Sequence, residues 1–384
     1  MSTVKTGSQT LIQHHLSALR GARIGLITNP TGLDATLRPT LDLLLEAGLT
    51  VTALFGPEHG IRGDAPAGAH IASGVDPLTG IPVYSLYGPT RKPTPEMLDA
   101  VDVLLFEIQD AGARFYTYTW TLALCMEAAA ELGKRLVVLD RPNPIGGEAV
   151  EGGLLQPGLE TFVGLRPIPV RHGMTHGELA QWLNGRFGPA CDLTVIPMEG
   201  WERSMYWEET GLPFVPPSPA TNMPSMLQLY PGTCFIEGVN LSEGRGTSLP
   251  FQVFGAPWLH ERAVVAELTL RCLPGVLFRP HHFTPLTSKH EGAFCRGVQI
   301  HVLDKRALRP VELGAHILDV VRQLHPEQFE WVKGSTKYWI DLVSGSARLR
   351  EAIDAGASIE PVLAAWREEA AAFKAAAAPY LLYA

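Results

Sequence analysis

Short apolar runs that alternate with helical stretches constrain this chain more than any other feature. ARIGLITN (22–29), TVTALFG (50–56), VDVLLFEIQ (101–109) and RLVVLDRP (135–142) read as strands buried on both faces, because they carry few polar residues to turn toward water. Between them, TLRPTLDLLLEAG (36–48) and TYTWTLALCMEAAAELGK (117–134) have helical apolar spacing, and THGELAQWLNGRFG opens with a threonine cap. Two further apolar runs, CDLTVIPM and GTCFIEGV, extend the strand series. This rhythm predicts an α/β fold with a doubly wound, mostly parallel sheet covered on both faces. After about residue 260 the texture changes. RGVQIHVLD reads as a strand, and PVELGAHILDVVRQL and SIEPVLAAWREEAAAFKAAA read as helices, which predicts a smaller C-terminal α/β unit. A chain of 384 residues is too long for one ordinary core, so we divide it at 1–258 and 259–384.

In sheets of this kind ligands bind beyond the carboxyl ends of the strands. Polar and charged residues gather at those ends here: Asn29, Glu58 with His59, Glu107 with Gln109 and Asp110, Asp140 with Arg141, and Glu237. The chemistry available to them is bounded by what is missing. The turn after the first strand, TNPTGLD, lacks GxGxxG, and neither GxxxxGK[ST] nor GxSxG occurs, which argues against dinucleotide, P-loop and α/β-hydrolase chemistry. The histidines form no HExxH, and the five cysteines form no CxxC, so we expect no metal and no cofactor. A net charge of −8 without a Lys/Arg run gives no footing for nucleic acid, and no apolar run reaches the length of a membrane span. The N-terminus lacks a basic stretch followed by an apolar one, so a cytoplasmic protein without a signal peptide is expected. The remaining carboxylates, arginines and tyrosines suit glycoside chemistry, in which a protonated carboxyl serves the leaving oxygen and anions stabilise a cationic ring.

Each candidate has a plainer reading beside it. Glu58 and His59 sit between glycines in FGPEHGIR, either aimed at a ligand or solvated on a loop. FEIQDAGARFYTYTW supplies Asp110, Arg114 and Tyr116, although Arg114 could simply pair with Asp110 and the tyrosines could be packing. Asp140, Arg141 and Asn143 lie in LDRPNPIGG, where Asp140 could equally be a cap or turn residue. PVRHGMTHGELA brings Arg171 and His172 before a helix start. The densest cluster is EGVNLSEGRGTSLPF, with Glu237, Asn240, Ser242, Glu243 and Arg245. The Pro-rich GLPFVPPSPATNMPSM (211–226) is either a functional loop or a rigid surface crossing.

The blocks GLITNPTG, FGPEHGIRG, FEIQDAGARFYTYTWTL, LDRPNPIGG, IPVRHGMTHGELA, PPSPATNMP, LYPGTCFIEGVNLSEGRGT and YLLY, in this order, resemble the exo-β-N-acetylmuramidase family. The resemblance implies a Rossmann-like catalytic domain and a smaller α/β domain that completes a cleft. It implies release of N-acetylmuramic acid from the non-reducing end of peptidoglycan fragments. By position it makes Glu58 the first catalytic choice, with Glu237, Glu243, Asp110 or the substrate's own acetamido group as the second participant. His59, Arg62, Arg114, Tyr116, Asn143, His172, Asn222, Asn240 and Arg245 would line the pocket. Arg62, Arg114 and Arg245 are candidates for the lactyl carboxylate of the sugar, Arg62 foremost. Glu107 stands where the family pattern more usually has an aspartate. Two other classes remain open: a metal-dependent amidase or deacetylase using His59, His172 and Asp110, and a muropeptide-binding protein without turnover.

Overall fold

The computed structural model describes residues 3–62 and 72–384, so Gly63, the last residue of FGPEHGIRG, lies outside the described residues. The larger sheet is built from β1 (Arg23–Thr28), β2 (Thr50–Gly56), β3 (Gly74–Val75), β4 (Pro82–Ser85), β5 (Val103–Glu107), β6 (Arg135–Leu139) and β7 (Asp192–Ile196), in the order β3-β4-β2-β1-β5-β6-β7. All described pairings in it are parallel except β3 with β4. Without the edge strand β3, the order is that of a Rossmann sheet, reversing direction between β1 and β5. Alternation places Leu104 and Phe106 in one apolar cluster and Val103 and Leu105 in the other, so both faces are covered.

The second sheet is antiparallel, β8 (Val253–Ala256), β10 (Cys295–Val302) and β9 (Val276–Phe283), in the order β8-β10-β9. Its first strand, Val253–Ala256, comes just before residue 258. Helix Pro224–Thr233 belongs with it as well, since it crosses helix Pro310–Leu324 at glycine contact. A Cβ on Gly232 would sit 1.6 Å from the Pro310 carbonyl oxygen, and one on Gly314 would sit 2.2 Å from that of Gly232. No side chain fits at either position.

That crossing overturns one expectation. GTCFIEGV is not a strand: its first residues finish helix Pro224–Thr233, and Cys234–Gly238 continues as a 3-10 turn. The apolar run satisfies its burial by packing, with Phe235 against Trp366, rather than by joining a sheet.

Two ties hold the units together. Arg114 is fully buried and donates to the carbonyls of Gly153 and Ile168, both at 2.9 Å, and of Val343 at 2.8 Å. Burial pulls its pKa down to about 9, against the pull of Glu369, so it stays charged at neutral pH. The YLLY segment returns across the sheet: Tyr383 donates to Asp140 Oδ2 at 2.6 Å, and the Leu382 amide to Glu178 at 2.9 Å.

Candidate active-site cleft

The strand ends that bear polar residues do not form one site. At the reversal between β1 and β5, where a Rossmann sheet ordinarily opens a crevice, side chains close on one another. Asn29 accepts from the Thr31 amide, the Thr31 hydroxyl accepts from the Gln109 amide at 2.9 Å, and Gln109 Oε1 accepts from Arg141 at 3.2 Å. Arg141 also pairs with Glu107 at 2.7 Å, and Ser8 donates to the same Glu107 oxygen at 2.9 Å. Asn29, Glu107, Gln109 and Arg141 are buried, so this is a plug in which the Glu107 charge is balanced by Arg141.

A second buried cluster follows β5 and joins the start of helix His176–Phe187. Asp110, 3% exposed, meets His172 Nε2 at 3.2 Å and His176 Nε2 at 3.7 Å, and takes the Gly112 amide at 3.1 Å. Burial pushes the Asp110 carboxyl up, but the two histidines outweigh it and hold it below its usual range. His172 accepts from the Met174 amide through Nδ1, so its other nitrogen carries the proton toward Asp110. His176 faces the Ile108 carbonyl through Nδ1, and burial keeps its pKa low.

The open space is elsewhere, at the end of β2 where the two units meet. A cleft of about 860 Å³ is lined by Glu58, His59, Tyr116, Glu237 and Arg245 from the expected set. Tyr87, Phe115, Thr117, Tyr118, Tyr230 and Trp339 supply much of the rest of the wall, with Ser218, Pro219 and Ala220 of the Pro-rich connection. Its aromatic faces suit sugar rings, which present C–H groups to such surfaces.

Glu58 rides a tight turn after β2, closed by the Gly60 amide donating to the Pro57 carbonyl at 2.9 Å. His59 there has a left-handed backbone, φ +71, a strained state for a non-glycine residue that concentrates at functional turns. The Glu58 carboxyl accepts from the Thr117 hydroxyl at 2.7 Å, at the N-terminal end of helix Tyr118–Glu131. Tyr87 flanks it: burial and the charge of Glu58 push the phenol up to about 12, against Arg91 stacked 5.3 Å from the ring.

Across the cleft, Glu237 on the 3-10 turn accepts from Arg245 Nη2 at 2.7 Å and Nε at 3.1 Å. Arg245 Nε lies 3.3 Å from Glu243, and the guanidinium stacks 4.9 Å from the Phe251 ring. Burial opposes its charge, yet Glu237 more than compensates and raises its pKa above the usual value. No described residue accepts from Arg245 Nη1, which leaves donors for an incoming carboxylate.

Several expected pocket residues stand outside this lining. Arg62 is paired with Asp76 at 2.6 Å on another face, and Arg114 is the inter-unit clamp. Asn143 shapes its own turn, donating to the Met174 carbonyl at 3.0 Å. Asn222 donates to the Ser248 carbonyl and Asn240 to that of Gln328. Glu243 pairs with Arg245 and is 1% exposed, and Asp110 and His172 are buried outside the lining. Among the described residues, no three His, Cys, Asp or Glu side chains are arranged to hold a metal, and His59 does not converge with His172 and Asp110. Tyr87 was legible in principle, since it closely follows β4 much as Glu58 follows β2. Thr287 and Ser288, which enter the cleft from the β9–β10 tip, had no signal in the sequence.

Models of the exo-β-N-acetylmuramidase NamZ family match the chain over residues 24–226 (N-terminal part) and 228–383 (C-terminal part). The peptidoglycan β-N-acetylmuramidase NamZ of Bacillus subtilis (strain 168) is 47% identical over 383 residues, covering 99% of this chain and 91% of that protein. Two crystal structures of DUF1343 family proteins from Bacteroides fragilis NCTC 9343 superpose on the whole chain and on 99% of their own, with TM-scores of 0.93 and 0.80 at 41% and 32% identity.

Proposed function

We propose, from the premise that this chain belongs to the exo-β-N-acetylmuramidase NamZ family, that it is a glycoside hydrolase releasing N-acetylmuramic acid from the non-reducing end of peptidoglycan fragments. The observation that carries the chemistry is the cleft itself. It offers one carboxyl held by a hydroxyl, Glu58 on Thr117, and faces it with a carboxylate clamped by an arginine, Glu237 on Arg245.

In this reading Glu58 donates a proton to the glycosidic oxygen as the bond to C1 breaks, and later helps water attack. Glu237, fixed by two guanidinium contacts, stabilises the positive charge that develops on the ring. Its engagement by Arg245 makes it a poorer nucleophile, which favours participation by the substrate's own acetamido group. The lactyl ether that marks muramic acid carries a carboxylate, and Arg245 is the cleft arginine that can receive it. The reading includes a cytoplasmic role in cell-wall recycling. The exposed free thiol of Cys272 suits a reducing compartment.

Incubation with a muramic-acid-terminated disaccharide, followed by mass spectrometry, tests the function. Free N-acetylmuramic acid and N-acetylglucosamine are expected. Binding without cleavage would favour a muropeptide receptor, and loss of an acetyl or peptide group would favour an amidase or deacetylase.

A further inference from the structure

The β9–β10 hairpin reaches from the small sheet to the cleft, and its tip makes an unusual set of contacts. Lys289 donates to three backbone carbonyls of the turn that carries Glu237 and the segment just after it: Ile236 at 2.8 Å, Val239 at 2.8 Å and Leu241 at 3.0 Å. The same ammonium lies 3.2 Å from Glu243 Oε2. Beside it, His290 Nε2 donates to the Asn240 carbonyl at 2.7 Å. Ser288 and His290 both have left-handed backbones, φ +73 and +59, which persist only where surrounding contacts enforce them. Thr287 and Ser288, next to the lysine, line the cleft wall.

The charges form a chain: Glu237, Arg245, Glu243 and Lys289, each beside the next. Two acids face two bases, so the ladder is neutral. A substrate carboxylate arriving at Arg245 would be a third acid. It is tolerable because Lys289 takes over part of Glu243 and leaves the guanidinium less engaged. Without that ammonium, one arginine would serve two protein carboxylates and the ligand's as well, in a partly buried site where charges are weakly screened.

The geometry points to Lys289 as a positioning and specificity residue: it fixes the Glu237 turn through its carbonyls and reserves Arg245 for an anionic sugar. This rests on the muramidase reading, and the experiment separates the two. Wild type, Lys289→Met and Lys289→Arg are compared on an aryl N-acetylmuramide and on its neutral lactyl-amide analogue. Lys289→Met should raise KM for the anionic substrate roughly 10–100-fold, while KM for the amide moves less than about threefold. Lys289→Arg should restore most of the difference. A loss of equal size on both substrates, or no loss on either, overturns the specificity role. Amide hydrogen exchange across 234–242 reads the positioning role without substrate. It should speed up about tenfold or more in Lys289→Met, and unchanged protection overturns it. If wild type cleaves neither glycoside, the muramidase reading falls with it, and the exchange result still decides whether Lys289 holds the turn.

Discussion

Two places at the carboxyl edge of one sheet have met opposite fates. The reversal between β1 and β5 is where the fold's geometry makes a crevice, yet Asn29, Thr31, Gln109, Arg141 and Glu107 fill it by bonding to one another. The end of β2 has no such geometric claim, yet a cleft of about 860 Å³ stands there because the second unit supplies the opposite wall. Topology offers positions, and side chains decide which stay open. A buried group that finds partners within the protein becomes structure. One that keeps an edge toward open volume is available for chemistry.

The sharpest test of that contrast is Glu58→Gln. It should cut turnover by about 10²–10⁴-fold, because the amide cannot donate a proton as a carboxyl does, while the unfolding midpoint stays near wild type. Activity within a few-fold of wild type would remove Glu58 from the chemistry.

Arg141→Met should behave in the opposite way. Leaving Glu107 buried without its partner costs about 3–5 kcal/mol of stability, with little change in kcat per folded molecule. Urea unfolding beside active-site titration separates the two quantities, and a stable but inactive variant would show that the plug is part of the site.

A third strand end extends the comparison through pH. Burial pushes the Asp140 carboxyl up to about 6, despite donors from Tyr383, Thr175 and the Gly177 amide. The folded state therefore holds a proton that the unfolded chain has lost between about pH 4 and 6. The stabilisation is present below that window and disappears as pH rises through 6, on the order of 3 kcal/mol. Asp140→Asn should flatten this part of the stability profile. An identical slope in variant and wild type would contradict it.

Arg245→Ala should weaken discrimination of muramic acid from glucosamine by roughly 10–100-fold, through a charged contact worth about 1.5–3 kcal/mol. Competition kinetics with both aryl glycosides measure it, and an unchanged ratio would send the lactyl carboxylate to another partner. The smallest effect is expected of Thr117→Val, which removes one donor from Glu58 and should slow turnover by about tenfold or less.

The sheet was legible because the runs of β1, β2, β5 and β6 are mostly buried, whereas the edge strand β7 is only partly covered. The same signal misread GTCFIEGV, since an apolar stretch is consistent with any buried element and only the glycine contact with Pro310 shows which. The site was half legible for a similar reason. Polar residues after apolar strands flagged Glu58 and Glu107 equally. Which of them turns inward depends on partners far along the chain, Ser8 and Arg141 for one and Thr117 for the other. Lys289 was beyond reach, because a lone lysine at a hairpin tip looks like any solvated charge until its three carbonyl partners are in view.

The glycine crossing of helices Pro224–Thr233 and Pro310–Leu324 also works as a gauge block for the reaction. The first helix runs straight into the turn bearing Glu237, so on the proposed mechanism a shift of that crossing would move this carboxylate relative to Glu58. A methyl group at Gly232 or Gly314 would have to wedge the helices apart, and a displacement of about 1 Å at reacting groups can cost about 10²-fold in rate. Such a lesion would leave every cleft residue in place by name while the spacing between them drifted out of tolerance. Slow alleles of this enzyme can therefore arise at a helix crossing whose residues never meet the sugar.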